Sequence, residues 1–234
     1  MFQPGEIGPE VAGWQPPPVP HAAPMQGQWA ELAPLSSGHA PALWRAIQGR
    51  PELWTYMGGG PFGSEAEFAD WIAAVAPGAD PQFWAIRPRG GDWQGVASYM
   101  RITPKDGVIE VGHILFSPAL QGTPVATEAM ALMMARAFDL GYRRYEWKCN
   151  ALNLPSRRAA QRLGFSYEGV FRQHMVIKGR NRDTAWFSIT DAEWPALKAA
   201  YDRWLAPENF QEGRQVVALS ALTRGLLAAR DPAL

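Results

Sequence analysis

Cysteine is almost missing. Cys149 is the single thiol among 234 residues, which excludes an intramolecular disulfide and suits a reducing compartment. Histidine is sparse too: His21, His39, His113 and His174 are scattered, and with one cysteine they form no metal-ligand spacing, so no metal is expected. Net charge is absent, with 22 Lys and Arg against 22 Asp and Glu. General attraction to nucleic acid or to an anionic membrane therefore does not follow. No stretch approaches the ~20 apolar residues of a membrane span, and the first ten residues have neither a basic start nor an apolar run, so no secretory leader is expected. These absences point to a soluble cytoplasmic chain, long enough for one domain with extensions.

Proline and tryptophan are present in quantity. Eleven tryptophans read as large aromatics of a core and its rim, a few of them free to line a cleft. Residues 1–27 include Pro16-Pro17-Pro18 and little apolar periodicity, which reads as an extended arm, disordered or draped over the domain, with Trp14 as an anchor. Residues 28–206 form the domain, and 207–234 a helical extension with Val216, Leu219, Leu222 and Leu226 at helical spacing, packed on its own domain or on a second copy in a homodimer.

The elements alternate in a readable order. A strand begins near Gln28, and Ser36 or Ser37 caps a helix through Ile47. Ser64 with Glu67 makes a capping box for a helix ending near Ala76, which gives Glu67 a local structural task and no chemistry. Strands follow at 82–87, 93–102 and 108–116, separated by glycine-containing turns. A helix from Pro124 to Leu140 presents Ala126, Met130, Met133, Met134 and Ala137 to a core and ends at Gly141. A strand at 142–150, a helix from Ser156 to Leu163, strands at 165–177 and 182–189, and an amphipathic helix stopped by Pro207 complete the pattern. Hairpins followed by strand–helix–strand crossovers imply an α/β (α+β) fold, a mixed, mostly antiparallel twisted sheet with helices on both faces.

Chemistry concentrates between Gly107 and Gly169. The loop Gln121-Gly122-Thr123-Pro124-Val125-Ala126 runs into a helix N-terminus, a place where backbone N–H groups and the helix dipole favour phosphate. After it come Thr127-Glu128-Ala129, Glu146-Trp147-Lys148-Cys149-Asn150, Asn153 with Ser156, Arg162-Leu163-Gly164-Phe165, and Glu168-Gly169. Each motif is weak alone. In this order and spacing they resemble the acyl-CoA-binding half of GNAT-superfamily N-acetyltransferases, in the RimJ/RimL-like branch, and the resemblance extends over residues 28–206.

The resemblance implies the GNAT fold and an acetyl-CoA-dependent acyltransferase that passes an acetyl group directly to a primary amine. Gln121, Gly122, Thr123, Val125, Ala126 and Thr127 would hold the pyrophosphate, although Pro124 stands where the family usually has Gly and removes one N–H donor. Leu115 and Phe116 would offer backbone to the pantetheine arm, and Asn153 would bind the cofactor. Ser156 takes the general-acid position, since its helix carries no Tyr. Glu168 takes the general-base position, with Glu110 as rival. By simple alternation Glu110 and His113 face opposite sides of their strand unless a bulge intervenes. A base is needed because an α-amine, with pKa ~8, is about one-tenth neutral at pH 7, and Lys far less. Trp54 and Tyr56, beside Gly58-Gly59-Gly60, are the aromatics expected at the acceptor cleft. Local pairing would join Glu168 to Arg172, and Arg143, Arg144, Arg157, Arg158 and Arg162 would be solvated or meet the 3′-phosphate. The acceptor would be a protein N-terminus, the alternatives being a small-molecule amine or a non-catalytic acyl-CoA- or partner-binding module.

Overall fold

The computed structural model describes residues 7–212 and 214–234. Eight strands form one sheet in the order β1-β2-β3-β4-β5-β6-β8-β7. The strands are β1 (Met25–Gln26), β2 (Ala30–Pro34), β3 (Gln82–Pro88), β4 (Gly95–Thr103), β5 (Val108–Phe116), β6 (Arg144–Asn150), β7 (Ser166–Ile177) and β8 (Arg180–Thr190). Every neighbouring pair is antiparallel except β5 and β6. That parallel pair requires a crossover, supplied by helix α3 (Pro124–Asp139).

Helices cover both faces. Helix α3, α4 (Leu154–Arg162) and α5 (Trp194–Leu205) lie on one side. Their core includes Trp84, Tyr99, Ile109, Val111, Met133, Tyr145, Trp147 and Phe165. The other side carries α1 (Ala40–Ile47) and α2 (Glu65–Val75), packed on Phe83, Ala85, Val96 and Leu115 with Trp54 and Phe68. Strand alternation explains the division: odd-numbered Ile109 and Val111 face one core, while Glu110 and Gly112 face the other.

Local chemistry sets the boundaries. Ser64 accepts the Glu67 N–H and the Glu67 carboxylate accepts the Gly63 N–H, closing the start of α2. Thr123 accepts the Ala126 N–H and Pro124 occupies the first turn of α3. Asn153, not Ser156, caps α4, so the helix begins two residues earlier than the serine suggests. Glu128, fully inside, accepts N–H groups from Gln28, Trp29 and Ala30 at 2.6–2.9 Å, fixing the start of β2 against α3.

The C-terminal segment departs from the expected helix over 212–229. It contains a short hairpin, β9 (Phe210–Gln211) with β10 (Arg214–Gln215), then α6 (Leu219–Thr223) and a 3-10 turn at Arg224–Leu226. The cause is Asn209, whose side chain accepts the Val217 N–H and donates to the carbonyls of Trp204 and Val217. Those bonds hold Val216 and Val217 extended, outside any helix. Beyond α6, Asp231 is buried in a two-bond ion pair with Arg157 at 2.6–2.7 Å, pinning the tail to α4. At the other end, Trp14 packs over Arg143 and beside Gly107, and Arg136 donates to the carbonyls of Ala23 and Pro24. Among the described residues, no helix is long and apolar enough to cross a membrane.

Candidate active site

Strands β5 and β6 pair only from Val108–Arg144 to Val111–Trp147. Beyond that point they diverge, leaving the β6-facing edge of β5 unpaired from Gly112 to Phe116. Unpaired backbone at a buried strand edge is a template for an extended ligand. Leu115 and Phe116 lie on this edge. Leu115 turns its side chain into the α1/α2 core, Phe116 packs toward α3, and the Gln121 amide donates to the Phe116 carbonyl at 2.9 Å.

The wedge leads to the N-terminus of α3. In the loop, the Ala126 N–H is taken by Thr123 and the Thr127 N–H by the Thr123 carbonyl. The N–H groups of Gly122 and Val125 have no protein acceptor among the described residues. Gly122 has φ +72°, which suits glycine, and its surroundings are open. Pro124 therefore removes a donor that a first-turn residue would have offered, while two neighbouring amides remain for an anion. The pyrophosphate of acetyl-CoA fits these amides, and the pantetheine arm fits the open edge of β5.

At the other side of the wedge, Asn153 uses its Oδ1 to cap α4, and its Nδ2 makes no hydrogen bond. The Ser156 Oγ accepts from Trp147 Nε1 at 3.0 Å and also hydrogen bonds with the Cys149 thiol. With its acceptor side facing the indole, the hydroxyl proton is left to point into the wedge region. Burial pushes the Cys149 thiol above its ordinary range; the side chain is a core group on β6.

The α1/α2 side holds the charges. Lys148, 5% exposed, bridges Glu110 at 3.0 Å and Glu146 at 2.6 Å, and Arg101 pairs with Glu110 at 2.7 Å. Arg144 joins Glu146 and clasps Glu168 with two bonds, and Ser188 donates to the same Glu168 oxygen at 2.7 Å. These bonds hold the Glu168 carboxyl below its ordinary value, the Arg144 bond being the largest cause. Glu168 thus pairs with Arg144 across the sheet, replacing the Arg172 partner that nearness in sequence suggests. Glu110 keeps Oε1 free of hydrogen bonds, while both cations sit on Oε2.

Alternation alone misses one feature of β5. Ser98 pairs with Gly112 and Val96 with Leu115, so two residues, His113 and Ile114, oppose Ala97. His113 has φ +48° at this bulge. The bulge turns His113 to the same side as Glu110, against Phe83 at 5.0 Å. A sequence signal for it is lacking, since no Gly marks the position.

Two hollows flank the wedge. One, of about 340 Å³, is walled by Trp54, Met57, Trp71, Val75, Phe83 and His113. Trp54 is buried in the aromatic cluster and also lines this hollow. Tyr56 is half-buried and donates to the Leu152 carbonyl at 3.2 Å, while Lys178 donates to the Trp54 carbonyl at 2.9 Å. The other hollow, of about 240 Å³, lies between α4 and the C-terminal tail and is lined by Arg158, Arg162, Arg224 and Arg230 with Ser220 and Thr223. Among the described residues none of these four arginines is in an ion pair. Arg162 reaches Thr127 of α3 at 3.2 Å, next to the phosphate loop. Arg143, Arg144 and Arg157 are instead held by Trp14, Glu168 and Asp231.

A mixed sheet with one splayed parallel pair, a helix N-terminus at its mouth and an acid-free amine-sized hollow opposite defines an acyl-CoA-dependent transferase. The chain belongs to the GNAT acetyltransferase family: the family's acetyltransferase (GNAT) domain matches residues 30–166. It is similar to a GCN5-related N-acetyltransferase from Brucella melitensis, with 45% identity, TM-score 0.89, and 92% of this chain and 100% of that chain covered. A probable GNAT-family acetyltransferase from Chromobacterium violaceum shares 39% identity at TM-score 0.78, covering 84% of this chain and 100% of that one. The uncharacterized N-acetyltransferase p20 of Bacillus licheniformis is 28% identical over 149 residues, 62% of this chain and 83% of that protein. The chain is an acetyl-CoA-dependent N-acetyltransferase acting on an amine.

Proposed function

We propose that this enzyme works in the manner of the RimJ/RimL-like branch, moving the acetyl group in one step to a primary amine, with a protein N-terminal α-amine as the favoured acceptor. The observation that carries this reading is Ser156, held by Trp147 at the start of α4 with its proton undirected by any capping role. Acetyl transfer to an amine forms a C–N bond and breaks a C–S bond, so the departing thiolate needs a proton. Ser156 supplies it. Carbonyl polarisation falls to the backbone N–H groups on the open edge of β5, where a preorganised donor is worth about 3 kcal/mol in comparable sites.

The adenosine and 3′-phosphate end of the cofactor belongs at the arginine hollow. Four unpaired guanidinium groups around one cavity repel one another and attract a dianion, and Arg162 connects that hollow to the phosphate loop. The N-terminal acceptor is favoured over a Lys side chain because the α-amine surrenders its proton more readily, pKa ~8 against ~10.4. As general base, Glu110 is better placed than Glu168: it lies on the splaying strand and keeps one oxygen free, whereas Glu168 holds Arg144 and Ser188.

The test is kinetic. Ser156→Ala lowers kcat by about 10²-fold with acetyl-CoA affinity preserved, measured by thiol release and by calorimetry. Turnover equal to wild type would remove Ser156 from the mechanism.

A further inference from the structure

The aromatic hollow holds a proton acceptor that the carboxylate mechanism leaves unused. Ser98 Oγ lies 2.9 Å from His113 Nδ1 and 3.2 Å from the Gly112 carbonyl. A hydroxyl has one proton. Both contacts are satisfied in one arrangement only: the hydroxyl donates to Gly112, and Nδ1–H donates to the hydroxyl. That tautomer leaves Nε2 with its lone pair, and no hydrogen bond engages it among the described residues. The bulge brings this imidazole to the α1/α2 side just where β5 leaves β6. Tyr56 and Lys178 tie the loop carrying Trp54 to the turn before α4 and to the β7–β8 hairpin, so the wall is fixed beside the wedge.

Charge narrows the ligand. No Asp, Glu, Lys or Arg lines the hollow, and His113 is its one titratable group. A polycation would find no counter-ion there, whereas a flat or branched apolar group would cover Trp54, Trp71 and Phe83. Glu110 is buried and paired with Arg101 and Lys148, and it does not line the hollow.

We propose that His113 Nε2 accepts the proton of the acceptor's ammonium, and that the hollow seats a large apolar, uncharged group adjoining that amine. This rests on the acetyl-transfer reading above. The ammonium gives one proton to Nε2, and its freed lone pair attacks the thioester carbonyl carbon. The C–N bond forms, the C–S bond breaks, and the nitrogen's second proton balances the one that Ser156 delivers to sulfur. Such an amine is either a polypeptide with an apolar first residue or a free arylalkyl or alkyl amine. Burial, together with Arg101 of β4, holds His113 below the ordinary 6.5, so the imidazole is neutral at pH 7. Besides Arg101, the polar or charged groups around it are Ser98 on β4 and the paired Glu110 on its own strand; β3 and α2 face it with Phe83 and Trp71.

The intact chain, acetyl-CoA and a set of acceptors test this: peptides differing only in a first residue of Phe, Leu, Ser or Lys, then 2-phenylethylamine and spermidine. Phe- or Leu-first peptides, or 2-phenylethylamine, should exceed the Ser and Lys peptides and spermidine by about tenfold or more in kcat/KM, and the arm that reacts identifies the source. His113→Gln should lower kcat by about 10²-fold at pH 7 and abolish the acid limb of the kcat/KM profile, whose midpoint lies below 6.5 in wild type. Ala74→Trp, at an exposed α2 position bordering the hollow, should raise KM for apolar acceptors with acetyl-CoA binding unchanged. Full activity in His113→Gln, loss of the limb only in Glu110→Gln, preference for Lys or spermidine, or no acceptor turned over despite bound acetyl-CoA would each overturn the proposal. Absence of acetyl-CoA binding would instead overturn the acetyl-transfer reading beneath it.

Discussion

The two hollows beside the wedge are opposites. One is aromatic, without a carboxylate or a fixed cation, and lies between the sheet and the loop joining α1 to α2. The other gathers four arginines from α4 and the C-terminal tail. A thioester donor ending in phosphates and an amine that must lose its charge make opposite demands, and the two regions meet them with opposite materials. The strand charges obey the same logic. Glu110, Glu146, Lys148, Arg144 and Glu168 neutralise one another along the sheet, so little net field reaches the aromatic side.

The largest expected effect breaks the arginine hollow from behind. Asp231→Ala leaves Arg157 buried and unpaired and frees the tail, costing about 3 kcal/mol, the lower end for a broken buried pair; chemical denaturation reads this out. Next, Arg224→Ala removes one guanidinium that the tail contributes. Binding of CoA should weaken about tenfold, or ~1.4 kcal/mol, while 3′-dephospho-CoA binds wild type and variant alike. Equal losses for both ligands would detach the hollow from the 3′-phosphate.

Smaller effects sharpen the contrast at its edges. Thr123→Ala removes the cap of α3 and should cost ~1 kcal/mol, a Tm fall of about 2–4 °C for a chain of this size. On the acceptor side, the Arg144 clamp lowers the Glu168 pKa from its ordinary 4.5. A depressed carboxyl contributes stability that is present above its unfolded pKa and lost as pH falls through the folded one. The Tm gap between wild type and Glu168→Gln should therefore shrink as pH drops below 4.5. A gap that stays constant to pH 3 would show the clamp to be irrelevant to stability.

Local signals explain what could be read from the chain. Pro124 and Gly141 bracket α3, Ser64 and Glu67 announce α2, and glycine turns separate β3, β4 and β5. The apolar period of α5 buries Trp194, Leu197, Tyr201 and Trp204 as its spacing implies. The losses come from long-range partners. Glu168 meets Arg144, 24 residues away, and not Arg172, because β8 and β6 lie between in register. Val216 and Val217 have helical spacing, yet Asn209 holds them extended. The bulge at His113 is invisible because two opposed residues on β5 require knowledge of β4. The phosphate loop and Asn153–Ser156 positions rested on motif order, and their placement together at the wedge follows from the β5–β6 divergence, which no short stretch encodes.

Calorimetric titration of acetyl-CoA into the intact chain, paired with 3′-dephospho-CoA, tests the central claim most directly. One molecule bound per chain with micromolar affinity, weakened when the 3′-phosphate is missing, is the result the account predicts. No binding of acetyl-CoA would mean that Gly122 and Val125 cannot hold the pyrophosphate once Pro124 has removed its donor, and would contradict the transferase mechanism at its first step.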